Sequence, residues 1–167
     1  MTPLAADLLI LLRRDLRCFM REVAAFPDDN TLWQTVPGLR NSVGNLALHV
    51  AGNLRYFVGG VLGTTGYERH REAEFAQREG SRASVVAVLE SALAELERGL
   101  KALTPESLAA SFPQSLQGQQ PPTQRFLMHL AAHLAFHLGQ AGYLRRTLTG
   151  DAIRTEPLGV GDLFLDA

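Results

Sequence analysis

The sequence predicts an all-α protein, a four-helix bundle, on three observations. Apolar residues recur at spacings of three and four over four stretches of roughly 20 to 28 residues, the period of an amphipathic helix. Capping and breaking residues bracket each stretch. No strict apolar/polar alternation of strand length occurs between them.

The first helix is expected over residues 4–26, where Leu4, Leu8, Leu11, Leu12, Phe19, Val23 and Phe26 share a face and Pro27 stops the pattern. A loop through Asp28, Asp29 and Asn30 follows, and Pro37 and Gly38 punctuate the next stretch. Trp33 reads as a core or rim aromatic. Asn41 or Ser42 caps a second helix over 42–62, carrying Leu46, His49, Val50, Phe57 and Val61 to Gly63.

Residues 63–81 are charged and glycine-bearing, an exposed connection anchored by Phe75. Ser81 or Ser84 caps a third helix over 82–103, striped with Val85, Val88, Leu89, Leu93, Leu96, Leu100 and Leu103. A polar connection over 105–121 offers Leu108, Phe112 and Leu116 for a short turn or hairpin. Pro122 and Thr123 open a fourth helix over 122–149, which Gly150 closes. The tail, 150–167, ends in Leu-Phe-Leu, expected to pack back on the helices. Connections of this length permit a crossover as well as an up-and-down topology.

A chain of 167 residues, 46% hydrophobic and 20% charged, is sized for one domain over 1–167 with a true core. Its net charge of −1 gives no field toward phosphate backbones or anionic lipid, so nucleic acid and membrane are not expected partners. Fifteen of the sixteen basic residues are Arg, and none form a stripe; Arg13, Arg14, Arg17 and Arg21 alternate with Asp7, Asp15 and Glu22 as on a solvated face. The lone cysteine, Cys18, forms no internal disulfide and reads as a small buried hydrophobe. With no secretory leader visible, a cytoplasmic location is expected. The run Phe126 to Leu144 lacks Asp, Glu, Lys and Arg over 19 residues, but its three histidines are costly in hydrocarbon; it reads as the most buried helix of a soluble bundle.

Chemistry concentrates in histidine. His49 lies on the second helix, and His129, His133 and His137 lie on the fourth at four-residue steps. Residues four apart on a helix differ by ~6 Å of rise and ~40° of rotation, so such a pair can aim at one point, the geometry by which two histidines of one helix share a metal. His129 and His137 stand ~12 Å apart along the axis, too far for one ion. The shared pair is therefore 129 with 133, or 133 with 137. A third ligand must come from another helix; His49 is the candidate, because His70 sits in the charged connection. Three neutral imidazoles make an open site with room for substrate. Asn45, Asn53 and Gln140 share these faces as hydrogen-bonding residues. No Asp or Glu lies close in sequence to the histidines, so neither a two-His-one-carboxylate site nor a bridged di-metal site is expected.

The run Leu130-Ala-Ala-His133-Leu-Ala-Phe-His137-Leu-Gly139-Gln140, followed by Leu144-Arg-Arg, resembles the last-helix signature of the DinB-like superfamily, in which H-x-x-x-H precedes x-G-Q. The segment from Ser42 through His49 to Arg55 resembles that family's second-helix motif, and Arg71-Glu-Ala-Glu-Phe75 resembles the linker of one of its branches. The resemblance spans roughly residues 4–149. It implies an up-down-down-up bundle holding a divalent metal, zinc, nickel or iron, on His49, His133 and His137, with His129 not a ligand. It further implies a homodimer and an enzyme that uses a low-molecular-weight thiol in transfer or isomerisation of a small-molecule substrate. A metal-dependent hydrolase and a non-catalytic, stress-associated interaction protein with structural histidines are the competing readings.

Overall fold

The computed structural model describes residues 1–153, 155 and 159–164. Four long helices build it: α1 (Pro3–Ala24); α3 (Val43–Leu54), which runs on without a break into a π-helical segment (Arg55–Leu62); α5 (Arg82–Lys101); and α7 (Thr123–Thr149). Three short helices fill the connections: α2 (Asp29–Leu32), α4 (Arg71–Ala76) and α6 (Pro105–Ala109). Isolated bridges, Ser111 with Pro122 and Leu116 with Gln119, make a small hairpin before α7, and the described residues contain no strand.

Caps explain the boundaries. Thr2, Ser42, Ser81 and Thr104 each accept the orphan N–H three residues on, at α1, α3, α5 and α6. Gly150 ends α7 at φ +67°, a conformation that glycine adopts without strain. The second helix ends at Leu62 as expected, but its cap is not left-handed: Gly63 keeps a right-handed conformation and donates to Val58 O at 2.9 Å, a π-type bond, and Thr64 takes the positive φ.

Both α1 and α3 lie against α5 and α7. The shared core takes Leu9, Leu12, Leu16 and Phe19 from α1, Val50 and Leu54 from α3, Leu89, Leu96 and Leu100 from α5, and Leu127, Leu130 and Leu134 from α7. The most enclosed helix is α3, with every residue but Leu48 buried. That corrects the expectation for α7, which leaves Met128, Phe136 and Tyr143 exposed; a lack of charge along a helix is not burial. No helix among the described residues is long and apolar enough to cross a membrane.

The tail also departs from expectation. Its 3₁₀ turn (Val160–Phe164) lies beside α1, yet Leu163 and Phe164 are exposed; Leu165 lies outside the described residues. On α1, the supposed solvated face is partly internal: Asp15 is buried against Arg14, and Glu22 is buried against Arg145 of α7. Glu22 finds its cation on another helix, which reading along one helix does not reveal. Trp33 is buried, its Nε1–H donating to Gly80 O at 2.7 Å. Cys18 is buried, and burial pushes its thiol pKa up, against a role as a nucleophile.

Candidate metal centre

α3 and α7 bring His49, His133 and His137 together, with one nitrogen of each within 4.8 Å of the others. His49 Nε2 lies 3.3 Å from His133 Nε2, which lies 3.1 Å from His137 Nε2. Two nitrogens each at ~2.0–2.1 Å from a tetrahedral ion stand ~3.3 Å apart, so this spacing suits a single cation. His129 is exposed, its ring 6.0 Å from that of His133, and is not among the three. His70 stays apart in the connection.

Hydrogen bonds set the tautomers. His137 Nδ1 lies 2.8 Å from Gln140 Oε1, and His49 Nδ1 lies 3.2 Å from Glu74 Oε2. An amide or carboxylate oxygen accepts, so both Nδ1 atoms carry the hydrogen and both Nε2 atoms present lone pairs. Arg69 Nη2 also stands 3.2 Å from His49 Nδ1, but it donates to Glu74 Oε2 at 2.8 Å, which leaves Nδ1 to donate to the same carboxylate.

This assignment leaves the cluster unsatisfied by hydrogen bonding. Two lone pairs face His133 Nε2, which holds at most one hydrogen in the neutral ring and can donate to only one of them. A cation in the middle meets all three lone pairs, and the donor set, three neutral imidazoles with their outer nitrogens anchored, is one that zinc, nickel and iron accept. Burial, then the neighbouring His137, His49, His129 and Arg69, push the His133 pKa down to about 4. Burial also lowers that of His137, with His49 adding to it and Gln140 opposing. Both rings are thereby kept neutral at physiological pH, the form that ligates metal.

Sequence reasoning missed the support behind His49. Residues 63–81 were expected to be an exposed connection anchored by Phe75; they instead contain α4, which buries Glu74 and lays the half-buried Phe75 ring 4.7 Å from that of His49. Arg69 grips Glu74 through Nε to Oε1 at 2.7 Å and Nη2 to Oε2 at 2.8 Å. Burial works to raise the Glu74 pKa, but the hydrogen bonds from Arg69 and His49 and the Arg69 charge outweigh it, leaving a lowered value. Gly52 makes the space: a Cβ there would overlap Glu74 Oε1. A carboxylate thus does stand at the site, though behind a histidine. The only trace of it in sequence was the Arg71-Glu-Ala-Glu-Phe75 segment.

Asn45 is structural. Its Oδ1 accepts from Ser42 N and Oγ, and its Nδ2 donates to the carbonyls of Glu74 and Gln77, both at 2.9 Å, fastening α4 onto α3. On the other side of the histidines a cavity of about 500 Å³ opens, lined by Asn53, Phe57, Leu116, Phe126, His129 and His133 among others.

A crystal structure described as the conserved protein of locus from Enterococcus faecalis shares this fold, with a TM-score of 0.68 at 18% identity over 86% of this chain and 96% of that one. No curated protein matches the sequence. The sequence profile of one family matches residues 10–160, taking in α3, α7 and all three clustered histidines, and on that match the chain belongs to the family described as protein of unknown function, DUF1572.

Proposed function

We propose that this is a DinB-like, metal-dependent enzyme that holds one divalent ion, zinc, nickel or iron, on His49, His133 and His137 and uses it to activate a low-molecular-weight thiol for transfer to, or isomerisation of, a small-molecule substrate. The observation that carries the metal is the facing of the His49 and His137 lone pairs onto His133 Nε2, a contact that hydrogen bonds among the three rings satisfy only in part. When bound, a divalent ion supplies Lewis acidity that favours the anionic form of a thiol or water nucleophile at neutral pH. Within the chain, Glu74 and Gln140 hold the His49 and His137 rings in the ligating tautomer, and Arg69 fixes Glu74. The adjoining cavity supports a small-molecule substrate. The DinB-like motifs around His49 and His133 support the choice of thiol.

Elemental analysis of untagged protein tests the metal, with close to one ion per chain expected. Cobalt-substituted protein is then titrated with glutathione, mycothiol, bacillithiol and cysteine, and a sulfur-to-metal charge-transfer band is expected with at least one, followed by its transfer to chlorinated or epoxide electrophiles. Metal-dependent ester or amide turnover without any such band would make the protein a hydrolase. Metal-free protein with neither activity would make it an interaction protein.

A further inference from the structure

The uncharged run from Phe126 to Leu144 is not accounted for by the interior of one chain. On the four long helices the exposed large apolar side chains are Met128, Phe136 and Tyr143, at 52%, 61% and 74% exposure, and all three belong to α7. The outward positions of the other helices carry charge instead: Asp7, Arg17 and Arg21 on α1, and Glu90, Arg98 and Lys101 on α5. A helix without charge on any face is one that is covered all round, and in a single chain α7 is covered on one side only.

The shape and charge of this face say what covers it. Met128, Ala132, Phe136, Gly139 and Tyr143, all exposed, follow one another at steps of four, four, three and four, a single stripe on which large and small residues alternate. A Cβ on Gly139 would meet nothing within 4 Å, so the stripe has an open notch between two protruding rings. Grooves flank it, one of about 390 Å³ lined by Val36, Leu39, Leu46 and Leu144 among others, and one of about 160 Å³ beside Leu138 and Gly142. A two-fold axis lays a surface against itself, so the surface must complement itself and bear no charge near the axis. Both conditions are met. With a second α7 antiparallel and the axis between positions 137 and 138, Phe136 falls on the partner's Gly139, Tyr143 on the partner's Ala132 and Met128 on the partner's Thr147, so each large residue meets a smaller one. No Asp, Glu, Lys or Arg lies between Arg125 and Arg145, so no charge faces its own copy there. From Met128 to Thr147 the face is ~28 Å long and, with its grooves, ~20 Å or two helices wide, so two copies bury ~1,100 Å², above the ~1,000 Å² that a specific interface clears.

We infer that the exposed face of α7 is the interface between two copies of this chain, packed antiparallel with Phe136 of each seated on Gly139 of the partner subunit. Leu39, 53% exposed at the rim of the larger groove, is covered with it. Gln140 lines the same groove, so the seam runs past the residue that holds the His137 ring, but the pairing itself requires no metal.

Sedimentation velocity of the full chain at tens of micromolar is expected to give a particle of two chains. Gly139→Glu sets two carboxylates against each other beside the axis and is expected to weaken association ~100-fold or more. Its far-UV helicity should stay that of wild type, since a Cβ at this position meets nothing in its own chain. Phe136→Lys is a second route to the same loss, should the first variant fold poorly. For the register, Ala132→Cys and Tyr143→Cys chains are mixed in reductant, freed of it and treated with a short bis-maleimide. A crosslinked dimer is expected from the mixture and not from either variant alone, because the two copies of residue 132 stand ~16 Å apart along an antiparallel pair in this register. Association unchanged in both Gly139→Glu and Phe136→Lys, or crosslinking of a single variant as fast as of the mixture, would overturn the inference. So would a monomer at that concentration, which would leave the face to a partner of another kind.

Discussion

Arg145 and Glu22 meet where no water reaches either: Nε lies 2.6 Å from Oε2, tying α7 to α1 across the core. Arg145 also donates to Asp151 Oδ2 and to Ile153 O, while Thr155 donates to Glu22, so the start of the tail is bound into the same network. Removing one member of a buried ion pair strands the other, at a cost of ~3–5 kcal/mol, whereas replacing both with apolar residues of similar size is often close to neutral. Arg145→Met is expected to lose stability in that range by urea denaturation. The double variant Arg145→Met with Glu22→Leu should recover most of it. A single variant within about 1 kcal/mol of wild type would mean the pair contributes no more than a surface contact.

The three clustered histidines should act as a unit toward metal. His49→Ala, His133→Ala and His137→Ala are each expected to lose most of the bound ion through gel filtration, because two imidazoles hold a labile divalent cation poorly. His129→Ala should keep it, since that ring lies outside the cluster. Near-stoichiometric metal in His49→Ala would eliminate the three-histidine centre.

Support for His49 should be measurable without touching any of the three. Glu74→Gln keeps an oxygen for the His49 Nδ1 hydrogen but loses the charge and the Arg69 ion pair, and the loss of such a partner lowers metal affinity ~10–100-fold. Gly52→Ala should do the same by steric means alone, because its Cβ would displace Glu74 Oε1. Competition against a chromogenic chelator reads both. Wild-type affinity in both variants would leave Glu74 with a purely structural role.

The metal-free protein should lose stability as pH falls from about 6.5 toward 4. His133 titrates at about 4 in the fold and near its ordinary 6.5 in the unfolded chain, so between those values the unfolded state binds the extra proton and stability rises with pH. The contribution is complete above 6.5. Below it, Glu74, held under the ordinary carboxylate value, adds a further loss in more acid solution. One proton gives at most ~1.4 kcal/mol per pH unit, and solvent at the partly exposed ring lowers that slope. Chemical denaturation across pH 4–7, with His133→Gln as the flattened reference, measures it; a flat wild-type curve would remove His133 as the cause.

Much of the fold was legible because helix periodicity and caps are local: Ser42, Ser81 and Gly150 mark ends that the structure keeps. Four-residue spacing on apolar faces narrowed the cluster to His49 with either 129 and 133 or 133 and 137, and the resemblance to the DinB-like last-helix motif, not the spacing, picked out the His133 and His137 pair that the structure brings to His49. Glu74 and Arg69 were not legible, since they lie in a charged segment whose helix is too short to show a period and whose burial depends on docking against α3. Asn53 was seen as a polar residue on the right face, but whether such a side chain is bonded, as Asn45 is, or left open is decided by neighbours distant in sequence. The π-helical turn likewise leaves no mark in an i, i+4 pattern.

His49 and His133 are 84 residues apart along the chain, and no fragment shorter than that separation contains both. A ribosome that has completed α3 has released one imidazole and must still make α5 and α7 before the other two exist. The isolated α7 pair, an i, i+4 couple on one helix, is a weak trap for a divalent ion, and His49 alone is weaker still. If the three histidines hold an ion as proposed, its capture is confined to chains that have been synthesised through α7 and have docked it onto α3, because no shorter chain assembles the cluster.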